Sequence, residues 1–147
     1  MDVKTGGRPA VIRCPACGRL NRVDLDRASA RPRCAECKRA LELNRPLAVT
    51  DGEFDRVVGG TTAPVLVDFH ADWCGPCRMM EPVLENFASA NTGKLLVLKV
   101  DTDANPVTAG RFGIRGIPTV IAFRNGREVA RHTGMADFPV LERLVRG

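Results

Sequence analysis

The stretch DFHADWCGPCRMMEP, residues 68–82, determines how the rest of the chain is interpreted. It places Cys74 and Cys77 on either side of a Gly-Pro dipeptide, shortly after the apolar run APVLVDFHA. Continuous apolar runs are typical of strands covered on both faces, and proline suits the first position of a helix. We therefore predict a buried strand, a turn at the two cysteines and a helix over residues 76–90.

Cys74 is expected at the N-terminus of that helix, where free N–H groups and the helix dipole stabilise an anion. The thiolate is the nucleophile of thiol–disulfide exchange, so this position favours redox chemistry. Cys77 lies one turn further along and can act as the resolving thiol. We interpret the pair as a redox dithiol. The alternative is half of a metal site, completed by His70 and Asp72.

Residues 46–147 alternate between strand and helix patterns. The run KLLVLKVDTD predicts a second buried strand, and Asn125–Gly126 predicts a hairpin between two later strands. Thr50 and Glu53 have the spacing of a capping box, which predicts a helix ending at Gly59–Gly60. This order of elements predicts an α/β fold with a central mixed sheet and helices on both faces.

The overall composition is that of a globular protein without a membrane span. Of 147 residues, 44% are hydrophobic and 27% are charged, and the longest apolar runs are too short to cross a bilayer. The first residues contain no apolar segment of the secretory type, so we expect a cytoplasmic protein. In a reducing compartment, paired cysteines bind metal or perform redox chemistry more often than they form structural disulfides.

The basic charge is concentrated at the N-terminus. Residues 1–45 contain 11 Lys or Arg and 5 Asp or Glu, whereas residues 46–147 contain 11 and 12. A basic segment raises the question of nucleic-acid binding, but this one contains no aromatic residue that would stack on bases. We therefore do not expect nucleic acid as a partner.

Four cysteines in the same segment have the spacing of a zinc site. Their pattern is C-x2-C-x16-C-x2-C, and four thiolates complete the tetrahedral coordination of one Zn²⁺, leaving no open position for catalysis. A segment this short needs such a staple to hold its shape. The alternatives are two redox pairs or a disulfide cross-link. The four predicted ligands of one structural zinc are Cys14, Cys17, Cys34 and Cys37.

The resulting organisation has three parts. We predict a flexible arm over residues 1–10, a four-cysteine zinc ribbon over residues 11–45 and an α/β domain over residues 46–147. Within the last part, VDFHADWCGPC, LKVDTD, FGIRGIPT and FRNG resemble the corresponding segments of the thioredoxin family, in order and at similar spacing. With the ribbon included, the chain resembles the bacterial thioredoxin 2 subgroup, which implies a thioredoxin fold preceded by a small zinc-ribbon domain.

The resemblance also implies roles for individual residues. Cys74 corresponds to the attacking cysteine and Cys77 to the buried one, and together they form the redox-active disulfide. Asp68 corresponds to the aspartate that assists proton removal from the second cysteine, and Lys99 to the lysine that pairs with it. Pro118 corresponds to a cis-proline facing the disulfide. The implied substrate groove consists of Trp73, Gly75, Pro76, Ile117, Pro118 and Gly134.

His70 departs from the family pattern, which usually has an aromatic residue, commonly Trp, at this position. An imidazole there could titrate near neutrality and alter the local potential, or it could be a partly exposed substitution with little effect. His132, on a hairpin strand, is interpreted as an ordinary surface residue.

The expected function is that of a protein-disulfide reductase, a thiol–disulfide oxidoreductase recharged by thioredoxin reductase. Its expected partners are that reductase and disulfide-containing client proteins, and it is expected to be a monomer without a bound organic cofactor. Two alternatives remain at this point. One is a zinc-dependent binding or chaperone module on a thioredoxin scaffold, and the other is a more oxidising disulfide oxidase or isomerase.

Overall fold

The computed structural model describes residues 7–146. Within them, no helix has the length and apolar character needed to cross a membrane. A short 3-10 helix, Leu25–Ala30, follows the first hairpin. The strands are β1 (Pro9–Arg13), β2 (Leu20–Asp24), β3 (Leu47–Ala48), β4 (Val65–His70), β5 (Leu96–Asp101), β6 (Thr119–Arg124) and β7 (Arg127–Thr133). The α-helices are α1 (Phe54–Gly59), α2 (Gly75–Ala90), α3 (Pro106–Arg111) and α4 (Phe138–Arg146).

Five strands form the central sheet, in the order β3-β5-β4-β6-β7. Strands β3 and β4 run parallel to β5, whereas β6 is antiparallel to β4 and to β7. The predicted central mixed sheet is therefore confirmed, and Asn125–Gly126 forms the turn of the predicted hairpin. Because β4 and β5 are parallel, their carboxyl ends lie at the same end of the sheet, and α2 begins there.

The sheet is covered on both faces because side chains of β4 alternate between two apolar clusters. Val67 and Phe69 pack with Phe54 of α1 on one face. Leu66 packs with Leu84 of α2 and with α4 on the other face. This double coverage explains why β4 is a continuous apolar run, with Asp68 as the one buried charged residue within it.

The N-terminal hairpin of β1 and β2 packs against the first of these faces and belongs to the same apolar cluster. The backbone N–H of Val11 donates to the Thr61 hydroxyl at 3.1 Å, and that of Thr62 donates to the Pro9 carbonyl at 3.0 Å. A Cβ on Gly60 would lie 2.5 Å from a methyl carbon of Val11. The ribbon and the sheet therefore share one core.

Two local predictions are corrected by the structure. Pro9 and Ala10, expected at the end of a flexible arm over residues 1–10, belong to β1, and residues 1–6 lie outside the described residues. The capping box forms only in half. The carboxylate of Glu53 accepts the N–H of Thr50, as a capping box requires, but helix α1 begins only at Phe54 and the N–H of Glu53 donates to the Thr50 carbonyl instead of its hydroxyl. The Glu53 carboxylate also forms an ion pair with Arg13 of the ribbon at 2.6 Å.

Candidate functional site

Cys74 and Cys77 form a disulfide at the junction between β4 and α2. Cys74 is the N-cap of α2, and its Sγ accepts the backbone N–H of Cys77 at 3.2 Å. The helix begins at Gly75, one residue before the predicted start. A thiolate at Cys74 would retain this N–H donor and the favourable end of the helix dipole, and both stabilise an anion.

The face of the disulfide is framed by Trp73 and by the loop before β6. Trp73 is 69% exposed, and its indole N–H donates to the Asp103 carboxylate at 2.8 Å. The Ile117–Pro118 peptide bond is cis, and the Ile117 carbonyl lies 3.8 Å from the Cys74 sulfur. Gly134 has a φ of 101° and donates its N–H to the Pro118 carbonyl at 2.8 Å, which anchors this loop.

Asp68 lies behind the disulfide, in a cavity of about 270 Å³ that Cys77 also lines. Asp68 is 3% exposed, and one of its carboxylate oxygens has no hydrogen-bond partner among residues 7–146. Burial raises the pKa of Asp68 to about 7, although the charge of Lys99 acts in the opposite direction. Lys99 lies directly across from Asp68 in the β4–β5 register, and the two do not form a direct ion pair within the described residues.

His70 lines the same cavity as Asp68 and is paired in register with Asp101 of β5. Burial lowers its pKa, and the neighbouring Asp101 partly offsets that effect. The imidazole is thus partly enclosed and faces charged groups, rather than lying free on the surface. Asp72, named above in the alternative metal site, also lines this cavity. The other charged lining residues were not singled out from the sequence: Arg45, Arg78, Glu81 and Glu85.

Asp103 was also missed by the sequence interpretation. It lies just beyond β5 and bonds Trp73 across 30 residues of sequence, so no local pattern connects the two. The available clue was the second aspartate in LKVDTD, Asp103, which follows a buried strand running parallel to β4. Parallel strands end at the same edge of a sheet, so side chains following β4 and β5 meet.

The four ribbon cysteines lie together, with all four sulfurs within 4.8 Å of one another. The Cys14 and Cys37 sulfurs are 3.6 Å apart and those of Cys17 and Cys34 are 3.5 Å apart, and all four are free thiols. Sulfurs held about 2.3 Å from a tetrahedral Zn²⁺ are about 3.8 Å from one another, so the cluster fits this ion. It is a metal site of the zinc-ribbon type.

Two equivalent turns produce this cluster. The N–H of Gly18 donates to the Cys14 carbonyl at 2.9 Å, and the N–H of Lys38 donates to the Cys34 carbonyl at 3.0 Å. Both residues adopt left-handed backbone conformations, with φ of 82° and 69°. The backbone N–H of Cys37 lowers the pKa of Cys34 to about 6, which favours the ligating thiolate form.

Comparisons with known proteins match the ribbon and the redox domain to two separate family models. The family model described as Thioredoxin matches residues 45–146, and the one described as Thioredoxin 2, N-terminal, matches residues 13–39. Thioredoxin C-3 of Corynebacterium nephridii is 36% identical over 84% of this chain and 85% of its own length. The thioredoxin of Alicyclobacillus acidocaldarius is 51% identical over 65% of this chain and 90% of its own length. A mutant thioredoxin from Halobacterium salinarum NRC-1 superposes with a TM-score of 0.65 and 39% identity, covering 71% of this chain and 90% of that one.

Proposed function

The chain belongs to the thioredoxin family, and from that premise we propose that it reduces the disulfides of client proteins and is recharged by a thioredoxin reductase. Its activity is that of a thiol–disulfide oxidoreductase. The observation that carries the finer assignment is the position of Cys74 at the N-cap of α2, where its sulfur accepts the Cys77 N–H. We further propose that it acts in the cytoplasm.

The reaction begins when the Cys74 thiolate attacks one sulfur of a client disulfide. A mixed disulfide forms, and the other client sulfur leaves as a thiolate and takes up a proton. Cys77 then loses its proton and attacks the Cys74 sulfur, which releases the second client thiolate. The client gains two electrons and two protons, and the chain is left with the Cys74–Cys77 disulfide. Thioredoxin reductase would restore the dithiol.

Asp68 is proposed to accept the proton of Cys77. It lines the same cavity as Cys77, and burial brings its pKa to about 7, close to the pH at which a general base is most effective. Lys99, across the strand pair, favours the ionised carboxylate. Both residues are proposed to work in this second step, after the client has been captured.

The client segment is proposed to bind in the groove between Trp73 and the loop that contains Pro118. Trp73 offers a largely exposed aromatic face next to Cys74. The Ile117 carbonyl beside the Cys74 sulfur orients an approaching segment. Gly75, Pro76 and Gly134 complete the groove, because small or rigid residues at these positions let a client backbone come close.

We propose that the ribbon, residues 11–45, holds one structural Zn²⁺ through its four cysteines, ahead of a redox domain over residues 46–147. Zinc with four thiolate ligands has no open position, so it would supply folding energy and no catalytic step. The remaining residues of the ribbon place the sulfurs through the two turns at Gly18 and Lys38.

Trapping of the mixed disulfide tests the assigned roles of the two cysteines. Cys77→Ser, with Cys74 as a free thiol, should accumulate a covalent complex with client proteins whose disulfides are intact, since Cys74 attacks the client disulfide and the resolving thiol is absent. Cys74→Ser, the matched control with the same loss of one thiol, should form none. Complex formation through Cys77 in the Cys74→Ser variant would overturn the assignment.

Equilibration of the wild-type disulfide with glutathione tests whether the chain is a reductase. A potential near about −270 mV would support reduction of clients, whereas one near about −120 mV would indicate a disulfide oxidase. Insulin reduction coupled to NADPH and a thioredoxin reductase then tests recharging. If insulin is reduced with dithiothreitol but not with the coupled system, the proposed recharging partner is wrong.

A further inference from the structure

An arginine-lined groove lies on the N-terminal ribbon and shares no lining residue with the redox cavity. It has a volume of about 360 Å³. Of the residues that line it, Asp24 alone is acidic, whereas four are basic. The four are Arg19, Arg22, Arg27 and Arg33.

The carboxylates of the ribbon compensate the charge of this groove only in part: Glu36 forms an ion pair with Arg19, and the charge of Arg27 acts on Asp24. Asp24 accepts the backbone N–H groups of Arg8 and Asp26 through one oxygen. Arg22 and Arg27 have no carboxylate within ion-pair distance among residues 7–146. The ion pairs formed by the other ribbon carboxylates are Arg8–Asp26, Arg19–Glu36 and Arg45–Glu42.

The floor of the groove is fixed by Asn21. This side chain is 7% exposed, donates to the Arg19 carbonyl at 3.1 Å and accepts the Ala35 N–H at 2.9 Å. It therefore ties the first hairpin to the turn between Cys34 and Cys37. Arg33 is oriented by a bond from its guanidinium to the Lys38 carbonyl at 3.2 Å. Guanidinium groups on a preorganised surface lose less entropy when they bind a ligand.

We propose that this groove binds an acidic polypeptide segment, a run of Glu or Asp on a client protein. The inference rests on the proposed function only in taking the partner to be a client. Guanidinium groups bind carboxylates in charge-assisted, often bidentate, hydrogen bonds. Four thiolates and one Zn²⁺ together carry two negative charges, so the segment remains basic when the metal is bound. The ribbon has no aromatic residue on which bases would stack, which favours a polypeptide over single-stranded nucleic acid.

The groove serves as a second contact, apart from the redox site. The ribbon packs beside Thr61 and Thr62, which precede β4, whereas the disulfide follows the other end of β4. A strand of six residues spans about 20 Å. A client held at the groove by an acidic segment would present its disulfide at a raised local concentration.

Binding of fluorescein-labelled hexaglutamate to the full zinc-loaded chain at low salt tests the groove by fluorescence anisotropy. The double variant Arg22→Gln, Arg27→Gln should bind about tenfold more weakly, because two charge-assisted contacts are lost. The matched control is Arg143→Gln, Arg146→Gln on α4, which removes the same charge elsewhere and should change affinity less than about twofold.

Equal loss of affinity in both double variants would show that hexaglutamate binds through general charge attraction, and it would contradict the proposal that the groove is the binding site. Absence of hexaglutamate binding by the wild type at low salt would overturn it as well. A single-stranded oligonucleotide that binds the wild type more tightly than hexaglutamate, and is weakened only by the groove variant, would make the polypeptide assignment wrong.

Turnover separates this proposal from the proposed reductase. A disulfide peptide with a hexaglutamate tail should be reduced by the wild type with a higher kcat/KM than the same peptide without it. The groove variant should lose that difference, while its rates with insulin and the untailed peptide should match those of the wild type. If the wild type reduces neither peptide, the reductase assignment is wrong. The anisotropy measurement still tests, independently, whether the groove binds an acidic segment.

Discussion

The chain uses the same C-x2-C spacing three times, and the ribbon and the redox site put it to different chemical use. In the ribbon, each pair is followed by a left-handed residue, Gly18 or Lys38, which closes a tight turn. At the redox site, the pair instead opens the long helix α2, so Cys74 is the N-cap of that helix. The spacing brings two sulfurs together, and the backbone that follows the second cysteine decides their chemistry.

The surroundings extend this difference. The ribbon sulfurs face one another, so four thiolates can share a single cation. The redox sulfurs face the Ile117 carbonyl on one side and the buried Asp68 on the other. A site that must hold a metal is closed by its own ligands, whereas a site that must exchange disulfides needs an approach for a client and an exit for a proton.

The largest expected effect is on turnover. Cys74→Ser should lower insulin reduction at least about a thousandfold, because the nucleophile is removed. The matched change in the ribbon, Cys17→Ser, should leave insulin reduction within about threefold of the wild type, since no redox step passes through the ribbon. Comparable losses in the two variants, with both folded by circular dichroism, would erase the functional distinction between the two kinds of pair.

Metal removal should have the next largest effect, confined at first to the ribbon. Chelation should release one zinc per chain and abolish amide protection around β1 and β2, because structural zinc in small domains contributes about 10 kcal/mol or more. The sheet should remain folded but melt several degrees lower, since the ribbon covers one face of its core. Hydrogen exchange and calorimetry on the metal-free chain check this. An unchanged melting temperature of the sheet would contradict the shared core.

Asp68→Asn should change the stability and the thiol chemistry of the redox domain and leave the ribbon and its metal unaffected. Because its folded pKa of about 7 lies above the unfolded value, Asp68 opposes folding increasingly as pH rises from about 4 to 7. The variant should therefore be more stable than the wild type at pH 8, by roughly 4 kcal/mol, and equally stable at pH 4. Resolution of the mixed disulfide should be slower and lose its dependence on pH near 7. Denaturant titrations at the two pH values, with zinc content unchanged, provide the measurement.

The smallest effect is expected at the contact between the two regions. Glu53→Gln removes the ion pair with Arg13, which is partly buried, and should destabilise the chain by about 1 kcal/mol. Asp55→Asn is the matched control, because its pair with Arg111 is more exposed and lies within the redox domain. The Glu53 variant should also weaken protection of β1 in hydrogen exchange. If Asp55→Asn weakens the hydrogen-exchange protection of β1 and Glu53→Gln does not, the Arg13–Glu53 ion pair does not couple the ribbon to the redox domain.

Much of this arrangement could be predicted because it is local in sequence. Apolar continuity indicated β4, the Asn-Gly pair indicated the β6–β7 hairpin, and the cysteine spacing indicated a metal cluster. The docking of the ribbon could not be predicted in this way. It depends on contacts such as Arg13 with Glu53 and Val11 with Thr61, which join residues 40 to 50 positions apart. Likewise, the raised pKa of Asp68 depends on burial in the folded molecule, which no local pattern encodes.

The shared core also has a consequence for the order in which the chain is made. All four metal ligands lie within residues 14–37, so the ribbon can acquire its metal soon after it leaves the ribosome. The partner of its apolar face, including Val57 and Val58 of α1, emerges later, at about 5–20 residues per second. During that interval Ile12, fully buried in the finished molecule, is open to solvent and to chaperones. The hydrophobic face of the ribbon is therefore exposed to water during synthesis and becomes buried only when the sheet has assembled against it.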